Sequence, residues 1–106
     1  RQMCIRDRLY VAPTDSRELF CLEARGGAVV WQQTLGERIE HLLGVEQDTL
    51  VVAGRSLFGL TADTGARLWS LESAEPEAQG YGRGWLTATS VYWPTRESLL
   101  QVELAR

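Results

Sequence analysis

The chain has 106 residues, of which 44% are hydrophobic and 24% charged, and its formal net charge is −3. This composition is typical of a small globular domain and excludes a disordered segment. Acidic and basic residues are interspersed, so no basic patch is present to neutralise nucleic-acid phosphates. No apolar run reaches the roughly eighteen residues that a membrane-spanning helix needs.

Residues 1–8, RQMCIRDR, do not continue into the pattern that begins at Leu9. Position 1 is not a Met, and QMCIRDR resembles a translated sequencing-adapter sequence of the kind found at the ends of metagenomic fragments. We therefore expect 1–8 to be non-native and leave it out of the fold prediction. The pattern also stops short at Arg106, which predicts that residues 9–106 are a fragment of a longer protein.

After Leu9, short apolar runs alternate with turn residues about every eight to twelve positions, which is typical of an all-β protein. Arg25-Gly26-Gly27 and Asp63-Thr64-Gly65 place glycine where a hairpin turn needs positive φ. Helical periodicity is weak throughout. The predicted strands are 9–12, 19–23, 28–33, 39–45, 49–53, 57–61, 67–71, 84–89, 90–93 and 99–104.

One segment of the chain is repeated. Residues 19–31, LFCLEARGGAVVW, return 38 positions later as 57–69, LFGLTADTGARLW, with seven of thirteen positions identical. A third, shorter copy follows, and the copies cover approximately 9–36, 37–72 and 84–106. A fixed period of this size indicates a repeat architecture, in which each unit buries its apolar surface against its neighbours.

Both faces of the repeated strands are largely apolar, as in Leu19–Leu22 and Leu57–Leu60. A sandwich would leave one face of each sheet in water, whereas radially stacked sheets cover both. The sequence therefore predicts a partial β-propeller of about two and a half four-stranded antiparallel blades.

The segment Leu60–Trp69, with the spacing Leu-x-Ala-x-Thr-Gly-x-x-x-Trp, resembles the tryptophan-docking repeat of the pyrroloquinoline-quinone-like (PQQ-like) β-propellers. The first copy, Leu22–Trp31, matches with Gly26 in place of Thr. Each Trp follows the hairpin glycine by four residues and should therefore lie on the outer strand of its blade. We expect Gly27, Trp31, Gly65 and Trp69 to be structural, with an indole buried between adjacent blades.

Only Glu72–Gly84 interrupts the period. Loops on a rigid scaffold often carry function, so Tyr81, Arg83 and Trp85 are candidates for a ligand or partner site. In that site Arg83 would pair with an anion and the aromatic rings would stack on the ligand; Arg96 is a further candidate. The alternative is a solvated loop between blades, whose glycines ease a tight bend.

The other reactive residues do not form a recognisable catalytic or metal motif. His41 is the only histidine and has no Ser or Cys nucleophile motif beside it. Cys21 stands in an apolar run and is expected to be a small buried side chain. Glu72, Glu75 and Glu77 fit a solvated loop better than a calcium loop. We predict no catalytic, cofactor-binding or metal residues in this segment.

The family resemblance implies two different functions. Quinoprotein dehydrogenases of the family hold PQQ with calcium, aromatic side chains and often adjacent cysteines, and no adjacent cysteines occur here. Other members are non-catalytic scaffolds, including outer-membrane-assembly lipoproteins. The first hypothesis is a scaffold that binds proteins through loops or blade edges, alongside further blades of its own chain, in the periplasm or cell envelope. The alternatives are a quinoprotein oxidoreductase whose catalytic blades lie elsewhere, and a propeller that binds an anion or sugar at loop 80–85.

Overall fold

Three antiparallel β-sheets form the computed structural model, which describes residues 1–104. The first sheet contains β1 (Gln2–Ile5), β2 (Arg8–Val11), β3 (Glu18–Glu23) and β4 (Val29–Thr34). The second contains β5 (His41–Glu46), β6 (Thr49–Ala53), β7 (Leu57–Thr61) and β8 (Arg67–Leu71). The third contains β9 (Trp85–Leu86), β10 (Ser90–Pro94) and β11 (Leu99–Glu103). Pro76–Ala78 forms a 3₁₀ turn.

Within each sheet the strands lie in chain order, each paired with the next. The first strands of successive sheets are neighbours, since β1 contacts β5 and β5 contacts β9. The sheets are therefore stacked as blades around a common side. This arrangement confirms the predicted partial propeller, with two four-stranded blades and a three-stranded one.

Part of the excluded N-terminal segment belongs to the first sheet. Gln2–Ile5 forms β1, whose residues pair along the full length of β2, with Met3 opposite Tyr10. The backbone of Arg1 also accepts a hydrogen bond from the amide of Ala12, at 2.8 Å. The first sheet therefore starts before Leu9. At the other end of the chain, residues 105 and 106 of the third predicted copy lie outside the described residues.

The second sheet is covered on both faces, which explains its apolar sequence. All five residues of β6 are buried, and they alternate between two cores. Leu50 and Val52 face the first sheet, while Val51 and Ala53 face the third. The two sheet interfaces thus supply the apolar burial that stabilises the fold.

The turns of the sheets fall at two opposite ends. We call the end with turns β2–β3, β6–β7 and β10–β11 the connection end, because it also holds the sheet-to-sheet connections 35–40 and 72–84. The hairpin end holds turns β1–β2, β3–β4, β5–β6, β7–β8 and β9–β10. Among residues 1–104, no helix is long and apolar enough to cross a membrane.

Candidate functional site

The two complete repeats are joined by one tryptophan. Trp31 on β4 is 8% exposed, and its Nε1 donates a hydrogen bond to the carbonyl oxygen of Ala62, 2.9 Å away in the second sheet. Its ring lies against the α-carbon of Gly65, where a Cβ would come within 2.4 Å of the indole. Gln33 donates a second hydrogen bond to the carbonyl of Gly65, at 2.8 Å. Residue 65 must therefore lack a side chain.

The other two docking candidates have different surroundings. Trp69 lies over Gly59 of its own sheet, where a Cβ would meet the indole at 2.3 Å. It also packs against the core between the second and third sheets. Gly27 has the same turn conformation as Gly65, with φ of +74° against +78°, but a Cβ there would meet no atom within 4 Å.

A bulge precedes each of the two tryptophans. In the first sheet the pairing shifts between Cys21–Trp31 and Leu22–Val29, and the same shift recurs in the second sheet before Trp69. A β-bulge adds twist and redirects the neighbouring side chain. The repeated bulge therefore sets the orientation of both indoles.

Tyr81 and Arg96 come together at the connection end. The Arg96 guanidinium lies 5.0 Å from the centre of the Tyr81 ring, a cation–π geometry. Tyr81 is 60% exposed, and its backbone amide donates to the carbonyl of Pro94 at 3.0 Å. The pair is thus an exposed aromatic–cationic feature on an anchored backbone.

Arg83 and Trp85 make contacts different from those of Tyr81 and Arg96. Arg83 donates a hydrogen bond to the carbonyl of Leu42 in the second sheet, at 3.2 Å. Trp85 is 72% exposed and pairs with Tyr92 across the third sheet. The structure therefore brings two of the four candidate residues together and separates the other two from them.

Segment 72–84 is held against the third sheet by its glycines. A Cβ on Gly80 would lie 2.6 Å from the carbonyl oxygen of Gly54 and 2.7 Å from the Trp93 ring. Trp93 is 1% exposed, and its Nε1 has no hydrogen-bond partner among the described residues. The glycines here permit close backbone approach to an indole.

A cleft at the connection end was not foreseen. It measures about 360 Å³ and is bordered by Arg17, Arg38, Arg55, Glu37 and Glu40. Both carboxylate oxygens of Glu37 accept hydrogen bonds from Ser56, at 2.9 and 2.8 Å.

Among the described residues, no carboxylate lies within ion-pair distance of the three cleft arginines. For two of these arginines, the sequence contains a pattern that indicates their place in the fold. Arg17 and Arg55 lie 38 positions apart, each two residues before the repeated Leu-Phe. The repeat therefore places both arginines at the same end of neighbouring blades.

A second cleft, of about 400 Å³, separates the first two sheets at the hairpin end and is bordered by charged turn residues including Asp7, Asp48 and Asp63. The same backbone hydrogen bond forms at this end in each of the first two sheets. The Ala24 amide donates to the Asp7 carbonyl at 2.8 Å, and the Ala62 amide donates to the Asp48 carbonyl at 3.0 Å. These bonds fasten each inner hairpin to the outer hairpin of its blade.

The isolated reactive groups lie apart from the Tyr81–Arg96 pair. Cys21 is fully buried, and burial raises the pKa of its thiol, only partly offset by the nearby Arg8 guanidinium. Burial lowers the pKa of His41, and the charges of Arg83 and Arg1 lower it further. A buried, protonated thiol is a weak nucleophile, so the surroundings of Cys21 do not favour covalent chemistry.

The residues described do not fit the cofactor of the quinoprotein branch. Within 1–104, no three His, Cys, Asp or Glu side chains converge closely enough to hold a metal ion. Cys4 is exposed on β1 and Cys21 is buried on β3, so the two thiols do not form an adjacent pair. Calcium needs several converging oxygen ligands. Among residues 1–104, carboxylate side chains do not converge in this way.

Comparison with known families gives a clear result. The family model described as outer membrane protein assembly factor BamB matches residues 4–101. The chain belongs to this PQQ-like repeat family. The matched range includes residues of all three sheets. A comparison with curated protein sequences gives no significant match.

Two solved structures illustrate the shared propeller fold. BamB from Moraxella catarrhalis is 21% identical with a TM-score of 0.74, over 92% of this chain and 31% of that one. A europium-containing methanol dehydrogenase is 14% identical with a TM-score of 0.68, over 89% of this chain and 20% of that one. The chain thus spans less than a third of each. At these identities the similarity establishes the fold alone.

Proposed function

We propose that this chain is a non-catalytic scaffold module that binds another protein at its connection end. The observation that carries the proposal is the gathering there of the Tyr81–Arg96 stack and the arginine-lined cleft. Tyr and Arg are enriched among the residues that dominate protein–protein binding energies. Arginines without carboxylate partners are available to a partner's acidic groups.

The family supports this function and suggests its setting. The matching family model carries the name of an outer membrane protein assembly factor. We infer a similar role for this chain, as a module in a protein-assembly complex of the cell envelope. The partner surface that fits the connection end would offer carboxylates to the cleft and a polar or aromatic contact to Tyr81.

Site-specific photocrosslinking tests the proposed surface. A benzoylphenylalanine introduced at Tyr81 of the full-length protein, expressed in its host, should crosslink to one defined envelope protein. The same probe at Leu68 serves as the control, since Leu68 is 54% exposed on β8, away from the connection end. Equal crosslinking from both positions, or none from Tyr81, would contradict the proposal.

Charge reversal at the cleft provides a second, independent test. Arg17→Glu and Arg55→Glu should weaken the crosslink from Tyr81 on the order of tenfold, because they replace attraction to a partner carboxylate with repulsion. Arg25→Glu, in the β3–β4 turn at the hairpin end, is the matched control and should leave the crosslink unchanged.

The quinoprotein alternative makes the opposite prediction. The full-length protein, mixed with PQQ and calcium, should bind the quinone stoichiometrically if the catalytic blades lie elsewhere in the chain. We expect no saturable change in quinone absorbance or tryptophan fluorescence. Tight binding would replace the scaffold proposal by an oxidoreductase.

The anion or sugar alternative depends on Arg83. Its hydrogen bond to the Leu42 carbonyl ties this side chain to the second sheet, which favours a structural role. Screening could find an anion or sugar that binds the wild type. If Arg83→Ala folds normally but binds that ligand more weakly, the result would support this alternative.

A further inference from the structure

We propose that the arginine cleft and a polar cleft beside it form one groove that binds an extended, acidic peptide segment of the partner protein. We call it the connection groove and define it by Arg17, Arg38 and Arg55 at one end and by Ser73 and Gln79 at the other. The proposal rests on the scaffold function described above and adds the chemical class of the segment that the partner contributes.

The connection between the first two sheets, residues 35–40, fixes the main chain at the arginine end. The Leu35 amide donates a hydrogen bond to the carbonyl of Arg17, at 3.1 Å. The Arg38 carbonyl lies against Gly54, where a Cβ would come within 2.3 Å of its oxygen. The connection therefore holds the turn before β3 beside the β6–β7 turn, away from the outer faces of the first and third sheets.

Arg55 is held from the other side, since its carbonyl accepts a hydrogen bond from the Gly80 amide at 2.9 Å. Glu37 lies next to Arg38 in the chain, but its two oxygens accept hydrogen bonds from Ser56. The side chains of the three arginines are exposed. A fixed main chain with open guanidinium groups lowers the entropy cost of binding a ligand.

The polar cleft adjoins the arginine cleft, because Glu37 and Arg55 border both. It measures about 480 Å³. The Gln79 side chain donates a hydrogen bond to the Ser73 carbonyl at 3.0 Å, so these two residues are held together. Hydroxyl and amide groups can pair with the N–H and C=O groups of a peptide main chain. The connection groove thus continues from arginines into neutral polar residues.

Glu72 also borders the polar cleft and gives the groove a direction. Its carboxylate accepts a hydrogen bond from Ser70 at 2.8 Å and lies 3.8 Å from the Arg67 guanidinium. A ligand carboxylate is favoured beside the three arginines and disfavoured beside Glu72. The fitting peptide is therefore acidic where it meets the arginines and neutral beyond them.

An extended peptide fits this groove better than a small anion. Sites for small ligands enclose most of the ligand's surface, whereas the three arginines are exposed. Such an open groove gains affinity from contacts spread along it, including paired hydrogen bonds from guanidinium to carboxylate. Inorganic phosphate, which can occupy only the arginine cleft, is the competing ligand.

Fluorescence anisotropy of the full-length protein with the labelled peptide Gly-Ser-Gly-Glu-Glu-Glu-Gly-Ser-Gly tests the proposal. We expect saturable binding that weakens as salt is added. Arg17→Gln and Arg55→Gln should each weaken it on the order of tenfold, since each removes a charge that pairs with a carboxylate. Arg25→Gln, at the hairpin end, should bind like the wild type. Far-ultraviolet circular dichroism checks that the variants are folded.

Competition defines the ligand. The same peptide with Gln in place of Glu should not displace the probe, and Glu-Glu-Glu alone should displace it on the order of tenfold less well than the whole peptide. The proposal is overturned if inorganic phosphate competes as well as the peptide, if Glu-Glu-Glu alone suffices, or if the arginine substitutions have no effect.

The crosslink from Tyr81 separates failure of the groove from failure of the scaffold function. A crosslink that Arg55→Glu weakens, without binding of the peptide, would overturn the groove and keep the scaffold function. Peptide binding that requires Arg17 and Arg55, without any crosslink, would support the groove and contradict only the assembly role.

Discussion

At the level of single residues, Gly65 and Gly27 provide a matched pair. They share a turn position and a positive φ, but only Gly65 has an indole against its α-carbon. Alanine at either position should cost about 1–2 kcal/mol for the left-handed backbone. Gly65→Ala should cost about 1–3 kcal/mol more, because its Cβ would overlap Trp31. Urea unfolding measures both, and equal losses would contradict the docking role of Gly65.

The Trp31 indole should be the main link between the first two blades. Trp31→Ala is expected to lower the free energy of unfolding by about 3–5 kcal/mol, since it removes a buried ring and leaves a cavity. In a polypeptide limited to residues 1–106, where Trp85 is exposed, Trp85→Ala should change it by no more than about 0.5 kcal/mol. Denaturant unfolding at low protein concentration compares the two. A similar loss in both variants would show that the indole at 31 has no special role.

His41 should make stability depend on pH. Its pKa in the folded chain lies below the ordinary 6.5, first because of burial and then because of Arg83 and Arg1. The unfolded chain therefore binds the proton more readily, and the free energy of unfolding falls as pH drops below 6.5. The loss levels off below the folded pKa.

The comparison of wild type with His41→Gln isolates this effect. Urea unfolding between about pH 7.5 and pH 5 should show a smaller decline for the variant, because it lacks the titrating group. Nuclear magnetic resonance of Arg83→Gln should give a higher pKa for His41. Identical pH profiles for wild type and His41→Gln would contradict the prediction.

At the level of elements, most strands could be predicted because their signals are local. Short apolar runs separated by turn residues locate β2 to β8 within two residues of their observed ends. The predicted strand 84–89 is reduced to Trp85–Leu86, since Thr87 folds into a turn whose amide donates to the carbonyl of Ser90. β1 was not predicted, because residues 1–8 resemble a translated adapter sequence and were left out of the fold prediction.

The candidate site was less predictable, because its geometry depends on distant residues. The pairing of Tyr81 with Arg96 requires the path of the whole 72–84 segment over the third sheet. The contact of Arg83 with Leu42 spans 41 positions. Neither is encoded in a local pattern. Part of the arginine cleft could be predicted from the sequence, since Arg17 and Arg55 follow the repeat. Only the fold shows that Arg38 borders the same cleft.

The 72–84 segment should detach when its glycine contact is blocked. Gly80→Ala is expected to cost about 1–3 kcal/mol, because its Cβ would meet the Gly54 carbonyl and the Trp93 ring. Gly82→Ala is the control, since a Cβ there meets no atom within 4 Å and only its φ of +90° opposes the change. Limited proteolysis should cut 72–84 faster in Gly80→Ala than in Gly82→Ala. Equal cutting would contradict the close packing.

At the level of the whole molecule, the free energy of local opening should be higher in the second sheet than in the first and third. Among the described residues, the second sheet packs against a neighbouring sheet on both faces, and the first and third sheets each pack against the second on one face. Repeat proteins gain much of their stability at such interfaces, and their outer units open first. In a polypeptide limited to residues 1–106, amide hydrogen exchange should therefore be slowest in β6 and β7 and fastest in β1 and β11. Uniform exchange across the three sheets would show a single cooperative unit instead.

The recurring bonds from the Ala24 and Ala62 amides have a consequence for how such a surface can change. Both end on backbone carbonyls, those of Asp7 and Asp48, and use no atom of the aspartate side chains. The two bonds therefore survive a change of these aspartate side chains, within the limit that Arg6, Gln47 and Asp48 have positive φ, a conformation that Asn, Asp and Gly adopt most readily. The hairpin end is in this sense a graftable surface, where new recognition sequences could be introduced, by evolution or by an engineer, on hairpins that remain anchored through their main chain.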